Sequence, residues 1–485
     1  MQKTTNLSIA KNITYNFIRV ICGIIFPLIS FPYAARVLGV YNIGKVNYCT
    51  SVINYFVLFA GLGISVYATR EGARYRDDRK QLSVFFKEIL IINIVSTTIS
   101  YMAFIGLVLF HVFDNYIDII WISSMMVFFT TFSVEWIYQI KEEYRYITTR
   151  TVLFQFISFI CLFCFVRERT DYPIYALITV MASGGSCFIN LWHSRKFIDW
   201  EAKCTKEIQR HFKPILIIFG VSLSTSIYLS LDTVMIGVLR NDYEVGLYSA
   251  AVRLNSVVKT LITSISAVLL TRLSYYVARN NREDYLHLLR NGINSILVLV
   301  IPSSLGIIYL HNEVIALFCG PEFVEAGFAC VILAVNLAFS VIDGMLYNQI
   351  CLPNGLERRA SYATFIGAIS NFCLNLFFIK YWGYVGASIT TLFSEVIVFL
   401  ILIFTSSKVV SVNAVFHDSY YYLISGFVML LGIWTIGRIL YVNMAVHVII
   451  SVLTGGIIYF ITLLIMKNPF VLSFLDVIRL RICKK

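Results

Sequence analysis

The sequence predicts an all-α integral membrane protein of about fourteen transmembrane helices, built as two parallel-repeat lobes around a central cavity plus two extra C-terminal helices. Three observations carry this reading. Of the 485 residues, 58% are hydrophobic and 14% charged, against roughly 45–50% and about 25% in soluble proteins. The apolar excess is gathered into blocks close to the ~20 residues that a helix needs to cross a bilayer. One helix-pair signature returns after six blocks.

The blocks follow in order. Block 13–33 comes after a polar start and runs toward the next block with no small-residue cleavage site. It therefore stays as the first helix and is not a signal peptide. Gly23 and Pro27 within it are a candidate hinge, since Pro kinks a helix. The turn "GVYNIGKVN" (39–47) leads into block 46–68. It nearly spells the phosphate-cradling loop G-x-x-x-x-G-K-[ST]. Val46 replaces the hydroxyl that would hold Mg²⁺, and no strand precedes it, so the match reads as a Gly-rich turn. Blocks 85–110 and 117–138 are joined by "HVFDNYID" (111–118), whose His111, Asp114 and Asp118 keep a short loop wet. Block 149–166 holds Cys161 and Cys164 on one apolar helix, with no partner set for metal or disulfide chemistry. Block 173–192 ends the first lobe. A basic stretch leads to blocks 214–236 and 247–271, then 293–310 with a kinking Pro302. Blocks 324–346, 362–379 and 384–404 complete the second lobe, and 419–437 and 445–466 are the additional pair. The expected organisation is an N-lobe (1–192), a cytoplasmic linker (193–213), a C-lobe (214–404), the added helices (405–466) and a basic amphipathic tail (467–485). Such a tail lies along a membrane surface.

Lys and Arg set the orientation. The two termini and the loops after even-numbered helices carry 29 of the 39 basic residues, and the opposite loops carry seven. Cytoplasmic loops collect these residues, so both termini are expected inside. The net charge of +12 is then a topology signal and not a nucleic-acid footprint.

The repeat explains the turn. "VLRNDYEVGLYSAAVR" (238–253) echoes "VLGVYNIGKVNYCTSV" (37–52), about 202 positions on, and "YWGYVGASITT" (381–391) is a looser copy. Parallel repeats place substrate sites at the interface between lobes near the bilayer midplane.

Charges inside helices point to that site, because each costs roughly 2.5–3.5 kcal/mol at the bilayer centre on insertion scales. They are Arg19, Asp232, Arg253, Lys259 and Glu395, while Glu135 and Asp343 sit near helix ends and read as snorkelling. Arg253 and Lys259 are six positions apart, about 120° around a helix, so they suit a wide cavity. Ser256, Thr260, Thr263 and Ser264 add hydroxyls to the same helix. A structural pairing of Asp232 with Arg253 or Lys259 is the competing reading.

"GLGISVYATREGARYRDD", "EWIYQIKEEYRY" and "YNQICLPNGLERRASYATFIGAISNFCLNLFFIKYWGYVGASITT" together resemble the polysaccharide-transporter branch of the multidrug/oligosaccharidyl-lipid/polysaccharide (MOP) exporter superfamily, over about residues 8–404. Helices 13 and 14 depart from a twelve-helix core, and fourteen also occur among lipid II flippases. The resemblance implies a bacterial cytoplasmic-membrane transporter, not an enzyme. It would move an undecaprenyl-pyrophosphate-linked oligosaccharide to the outer leaflet for capsule or O-antigen assembly, among membrane lipids and other polysaccharide-assembly proteins. Arg19, Arg253 and Lys259 would bind the anionic head, and Asp232 or Glu395 would bind a coupling H⁺ or Na⁺; no other cofactor is expected. Drug export and lipid II flipping are the alternatives within the superfamily. A membrane glycosyltransferase or polymerase is a third, which the short outward loops disfavour.

Overall fold

The computed structural model describes residues 2–202, 208–439 and 443–482. Residues 203–207 of the expected linker and 483–485 of the expected tail lie outside these. Among the described residues, every long element is a helix. Among the described residues, ten helices are long and apolar enough to cross a membrane, or up to eleven if the bent pair 242–264 and 269–278 counts as one span. Length and apolarity alone therefore do not reach fourteen. Two of the ten are each two helices joined at a glycine outside helical geometry, Gly39 (φ 77°) and Gly383 (φ 55°).

The chain forms two compact units, Met1–Gly246 and Leu247–Lys485. In the first, α1 (Gln2–Gly61) packs on α3 (Arg79–Leu109), α4 (Ile117–Phe132), α6 (Tyr144–Phe165) and α9 (Gln209–Leu239). Short helices α2 (Ile64–Gly72) and α5 (Glu135–Ile140) pack on each other. Helices α7 (Tyr172–Gly184) and α8 (Cys187–His193) lie against α4, and α7 also against α6. α10 (Asp242–Ala278) runs from the first unit into the second. The second unit holds α11 (Arg282–Tyr309), α12 (His311–Cys319), α13 (Gly327–Met345), α14 (Glu357–Ser406), α15 (Val412–Phe416), α16 (Ser419–Ile439), α17 (Met444–Ile465) and α18 (Pro469–Ile482). Its main packings are α11 on α13 and α16, α13 on α14, and α16 on α17.

α3 shows how such a chain sorts its side chains. Its buried face carries Ser83, Glu88, Asn93, Ser96, Thr97 and Ser100, while Ile99 and Met102 are exposed. Ser96 Oγ donates to Ala60 O at 2.6 Å and Ser100 Oγ to Phe56 O at 2.8 Å. Small polar residues set among the buried Leu82, Phe85, Phe86, Ile89, Ile92 and Phe104 let helices approach closely and hydrogen-bond to one another, as in bundles packed in lipid.

The echoed turns coincide with helix breaks, at Gly39, at Arg240 (φ −130°, ψ −107°) and at Gly383. A Cβ on Gly44 would lie 1.7 Å from Asp242 O, and one on Gly246 would lie 2.1 Å from Val40 O. The first two turns therefore press backbone to backbone, which only glycine permits. Lys45 lies over the Tyr172 and Tyr116 rings at 5.2 and 5.7 Å. The near-match to a nucleotide loop is thus a packing device between two turns.

Candidate functional site

Two chain breaks shape a cavity inside the first unit. Between α1 and α2, Gly63 takes φ 70°, where a Cβ would meet Ile218 at 2.7 Å. Between α4 and α5, Val134 takes φ 34°, which is rare for a β-branched residue. Asn190 Nδ2 donates to Ser133 O at 2.9 Å and so satisfies a carbonyl that the break frees. Irregular backbone at membrane depth is tolerated where it is enclosed in protein or lines a cavity. Both breaks line a cavity of about 380 Å³ that also includes Asn93, Glu135, Arg150 and Ser186.

Glu135 opens α5 and faces two arginines. Arg19 Nη1, from α1, donates to Glu135 Oε1 at 2.7 Å. Arg150 Nη2, from α6, donates to Glu135 Oε2 at 3.0 Å. Gln139 Nε2 reaches Oε1 at 3.4 Å, and Thr69 Oγ1 donates to Gln139 Oε1 at 3.2 Å. The Arg150 side chain is 8% exposed, and its Nε and Nη1 have no acceptor among the described residues. Arg19 and Glu135 are thus partners across 116 residues, where the sequence reading makes Arg19 a candidate for the anionic head and Glu135 a separate snorkelling group. In the sequence, Arg150 falls at the start of block 149–166 and so reads as one of the 29 cations of the termini and cytoplasmic loops. α6 begins at Tyr144, which sets Arg150 well over a turn inside. The signal open to sequence reading was its distance from the "EEYRY" turn.

A second buried group lies in the same unit. Glu88, fully buried on α3, accepts from Arg210 Nη2 at 2.9 Å and meets His211 Nε2 at 2.9 Å. His211 Nδ1 lies 2.6 Å from Tyr67 OH. These residues sit beside the aromatic core of Phe85 and Trp136. Asp232, on α9, is 6% exposed and within electrostatic reach of Tyr55.

In the second unit, Lys259 and Arg253 are half-buried on α10. Lys259 interacts electrostatically with Asp343 of α13, which is 5% exposed and has no hydrogen-bond partner for either carboxylate oxygen among the described residues. A π-helical turn, Leu346–Cys351, follows, and such turns are frequent at functional sites. The hydroxyls of Ser256, Thr260, Thr263 and Ser264 donate to α10's own carbonyls at 2.7–2.9 Å. Glu395 is buried in α14, as are Asn371, Asn375 and Thr390. Asn375 Nδ2 donates to Asn371 Oδ1 at 3.1 Å, and Thr390 Oγ1 donates to Asn375 Oδ1. Gly23 stands in open space and Pro27 lies inside α1. His111 and Asp114 form an exposed pair at 3.0 Å.

Residues 9–276, more than half of the chain, match the family model of polysaccharide biosynthesis proteins. The chain belongs to this family. A putative O-antigen transporter of Escherichia coli (strain K12) is 22% identical over 81% of this chain and 96% of its own length. A probable low-salt glycan biosynthesis flippase, Agl15, of Haloferax volcanii is 24% identical over 53% of this chain and 55% of its own. Among solved structures, the inward closed conformation of the lipid II flippase MurJ superposes with a TM-score of 0.76 at 16% identity, covering 95% of this chain and all of that one. An inward-facing multidrug resistance MATE family transporter of the MOP superfamily gives 0.64 at 14% identity, over 82% and 98%. The family member described here is therefore a multi-pass membrane protein that shares its fold with the lipid II flippase MurJ and the MATE family transporter.

Proposed function

We propose that this family member is a flippase. It carries an undecaprenyl-pyrophosphate-linked oligosaccharide from the inner to the outer leaflet of the bacterial cytoplasmic membrane, with both termini cytoplasmic. The observation that carries the reading is a family membership joined to helices that hold Arg19, Arg253 and Lys259 in their interiors. The near full-length likeness to a putative O-antigen transporter and the fold shared with a lipid II flippase support it.

The chemistry is direct. The anionic oxygens of a pyrophosphate cannot cross hydrocarbon unpaired. Arg offers such groups a planar fork and Lys a point charge. The lipid tail stays in the bilayer and only the head must pass. Helices 1–6 and 7–12 would act as lobes that rock around a fixed site, with 193–213 as their link. The empty carrier would be reset by H⁺ or Na⁺ at Asp232 or Glu395. No catalytic group is assigned.

The test is export. Changing Arg19, Arg253 or Lys259 to Gln should each cut surface polysaccharide at least tenfold at normal protein level, with lipid-linked sugar accumulating inside. Wild-type export by the triple variant would overturn the cationic site. Drug sensitivity of a deletion strain without loss of surface polysaccharide would favour drug export instead.

A further inference from the structure

We propose that the first unit contains an oxyanion subsite of its own, formed by Arg19 and Arg150, in which Glu135 is a resident anion that a phosphate group displaces. The proposal deepens the flippase reading and rests on it only for the origin of the phosphate.

Two guanidinium groups each give one hydrogen bond to a different oxygen of the same carboxylate. Arg19 Nη1 takes Glu135 Oε1 at 2.7 Å and Arg150 Nη2 takes Oε2 at 3.0 Å, from two different helices. A phosphate oxygen pair presents the same acceptor pattern, and guanidinium groups match carboxylate and phosphate alike. The charge count favours a further anion: two cations share one carboxylate.

Arg150 is the decisive group. It is more than nine-tenths buried, lines the cavity, and leaves Nε and Nη1 with no acceptor. Arg has five N–H donors and cannot discharge itself by losing a proton. Leaving the three N–H donors of Nε and Nη1 unmet in a buried place is costly, so the arrangement is short of acceptors. The cavity of about 380 Å³ falls within the range of small-molecule sites. Gly61, Gly63 and Gly184 line it without side chains to fill it.

The resident carboxylate is also placed to leave. α5 is six residues long and lies between two non-glycine residues of positive φ, Val134 (34°) and Glu142 (57°). Backbone held in sparsely populated conformations is a reservoir for movement. Rotation of this short helix would withdraw Glu135 and open both arginines to the incoming anion. A carboxylate bonded this way also keeps the site closed to adventitious anions until one binds more strongly.

The experiment measures binding by full-length protein in lipid nanodiscs, with inorganic pyrophosphate and a polyprenyl monophosphate as separate probes. Glu135→Gln removes the competitor and should tighten binding about tenfold, ~1.4 kcal/mol. Arg150→Gln should weaken it about tenfold, and Arg150→Lys should fall between, at an unchanged melting temperature that shows the fold is kept. Weaker or unchanged binding in Glu135→Gln would overturn the proposal, as would unchanged binding in a folded Arg150→Gln. Binding of the lipid probe alone assigns the subsite to a headgroup, and equal binding of both assigns it to a free anion. If the variants bind as expected but the wild type moves no lipid-linked sugar, the subsite stands and the flippase reading falls. If the wild type flips and the variants neither bind nor flip differently from it, the reverse holds.

Discussion

Gly44 and Gly23 look alike in the sequence, yet they predict opposite outcomes. A methyl at Gly44 would lie 1.7 Å from Asp242 O, with backbone on the far side that cannot yield. Overpacking a tight site costs about 1–3 kcal/mol, so Gly44→Ala should lower the melting temperature of the purified protein by several degrees. Gly23 has nothing within 4 Å of an added methyl, so Gly23→Ala should melt at or above wild type, because Ala favours helix by up to about 1 kcal/mol. If Gly23 and Pro27 are the hinge, that variant should still export more slowly. Equal melting of the two variants would refute the packing argument. Lys259 and Asp343 allow a sharper separation. The two attract each other electrostatically, and among the described residues no hydrogen bond reaches the Asp343 carboxylate. Removing either leaves the other charge less compensated, at a smaller loss than the 3–5 kcal/mol of a broken buried contact pair. Lys259 is half-buried, so about 1–3 kcal/mol is expected for each single change. The double change Lys259→Met with Asp343→Leu should recover most of that loss, read as a double-mutant cycle in melting. A stable double variant that does not export would show that Lys259 does more than pair with Asp343; one that exports normally would leave the pair structural.

At the scale of elements, the entry to α16 is clamped to α11. Arg290 donates to Asp418 through Nε at 3.0 Å and Nη2 at 2.8 and 2.9 Å. Asn294 Nδ2 adds a bond at 3.3 Å and His417 Nδ1 lies 3.3 Å away. Burial pushes the Asp418 carboxyl up, but the bonds from His417, Arg290 and Asn294 outweigh it and hold the carboxyl below its usual value. A depressed folded pKa means that this stabilisation is complete above the unfolded value of about 3.9 and fades as pH falls through the lower folded one. Asp418→Asn should therefore lower the melting temperature at pH 7, consistent with the ~1.5–3 kcal/mol of hydrogen bonds to charged groups, and flatten the loss below pH 4. An unchanged acid limb would show that the clamp does not govern docking of α16. Elements of this kind differ in how legible they were. The turns at Gly39, Arg240 and Gly383 could be read because turn chemistry is local and was repeated. The meeting of Glu135 with Arg19 and Arg150 could not, because it depends on a left-handed valine at position 134 that no residue pattern announces. Asp343 was likewise read as a helix-end group, and the π-helical turn after it leaves no periodic signature.

At the scale of the whole molecule, all-helical architecture and membrane residence were legible because they follow from composition and block length. The number of spans was not settled by those properties, since broken helices such as those at Gly39 and Gly383 merge neighbouring blocks. The lysine and arginine bias bears on the orientation of the termini, while the inner-to-outer direction is what the family resemblance implies, and it leads to a prediction for the intact carrier. A pyrophosphate head bears at least two negative charges. An interior-negative potential favours its outward passage by about 2.3 kcal/mol per charge per 100 mV, so the equilibrium drive is ~4.6 kcal/mol. If half of the field is crossed before the slow step, the rate gains ~2.3 kcal/mol, or about fiftyfold. Proteoliposomes of uniform orientation, with the potential set by a potassium gradient and valinomycin, would measure this. Outward movement of a pyrophosphate-linked lipid should quicken by tens of times at 100 mV, and movement of a lipid with an uncharged head should not. Equal rates for both lipids would mean that the charged head is not what crosses the field. The cations of the helices would then serve the fold and not the cargo.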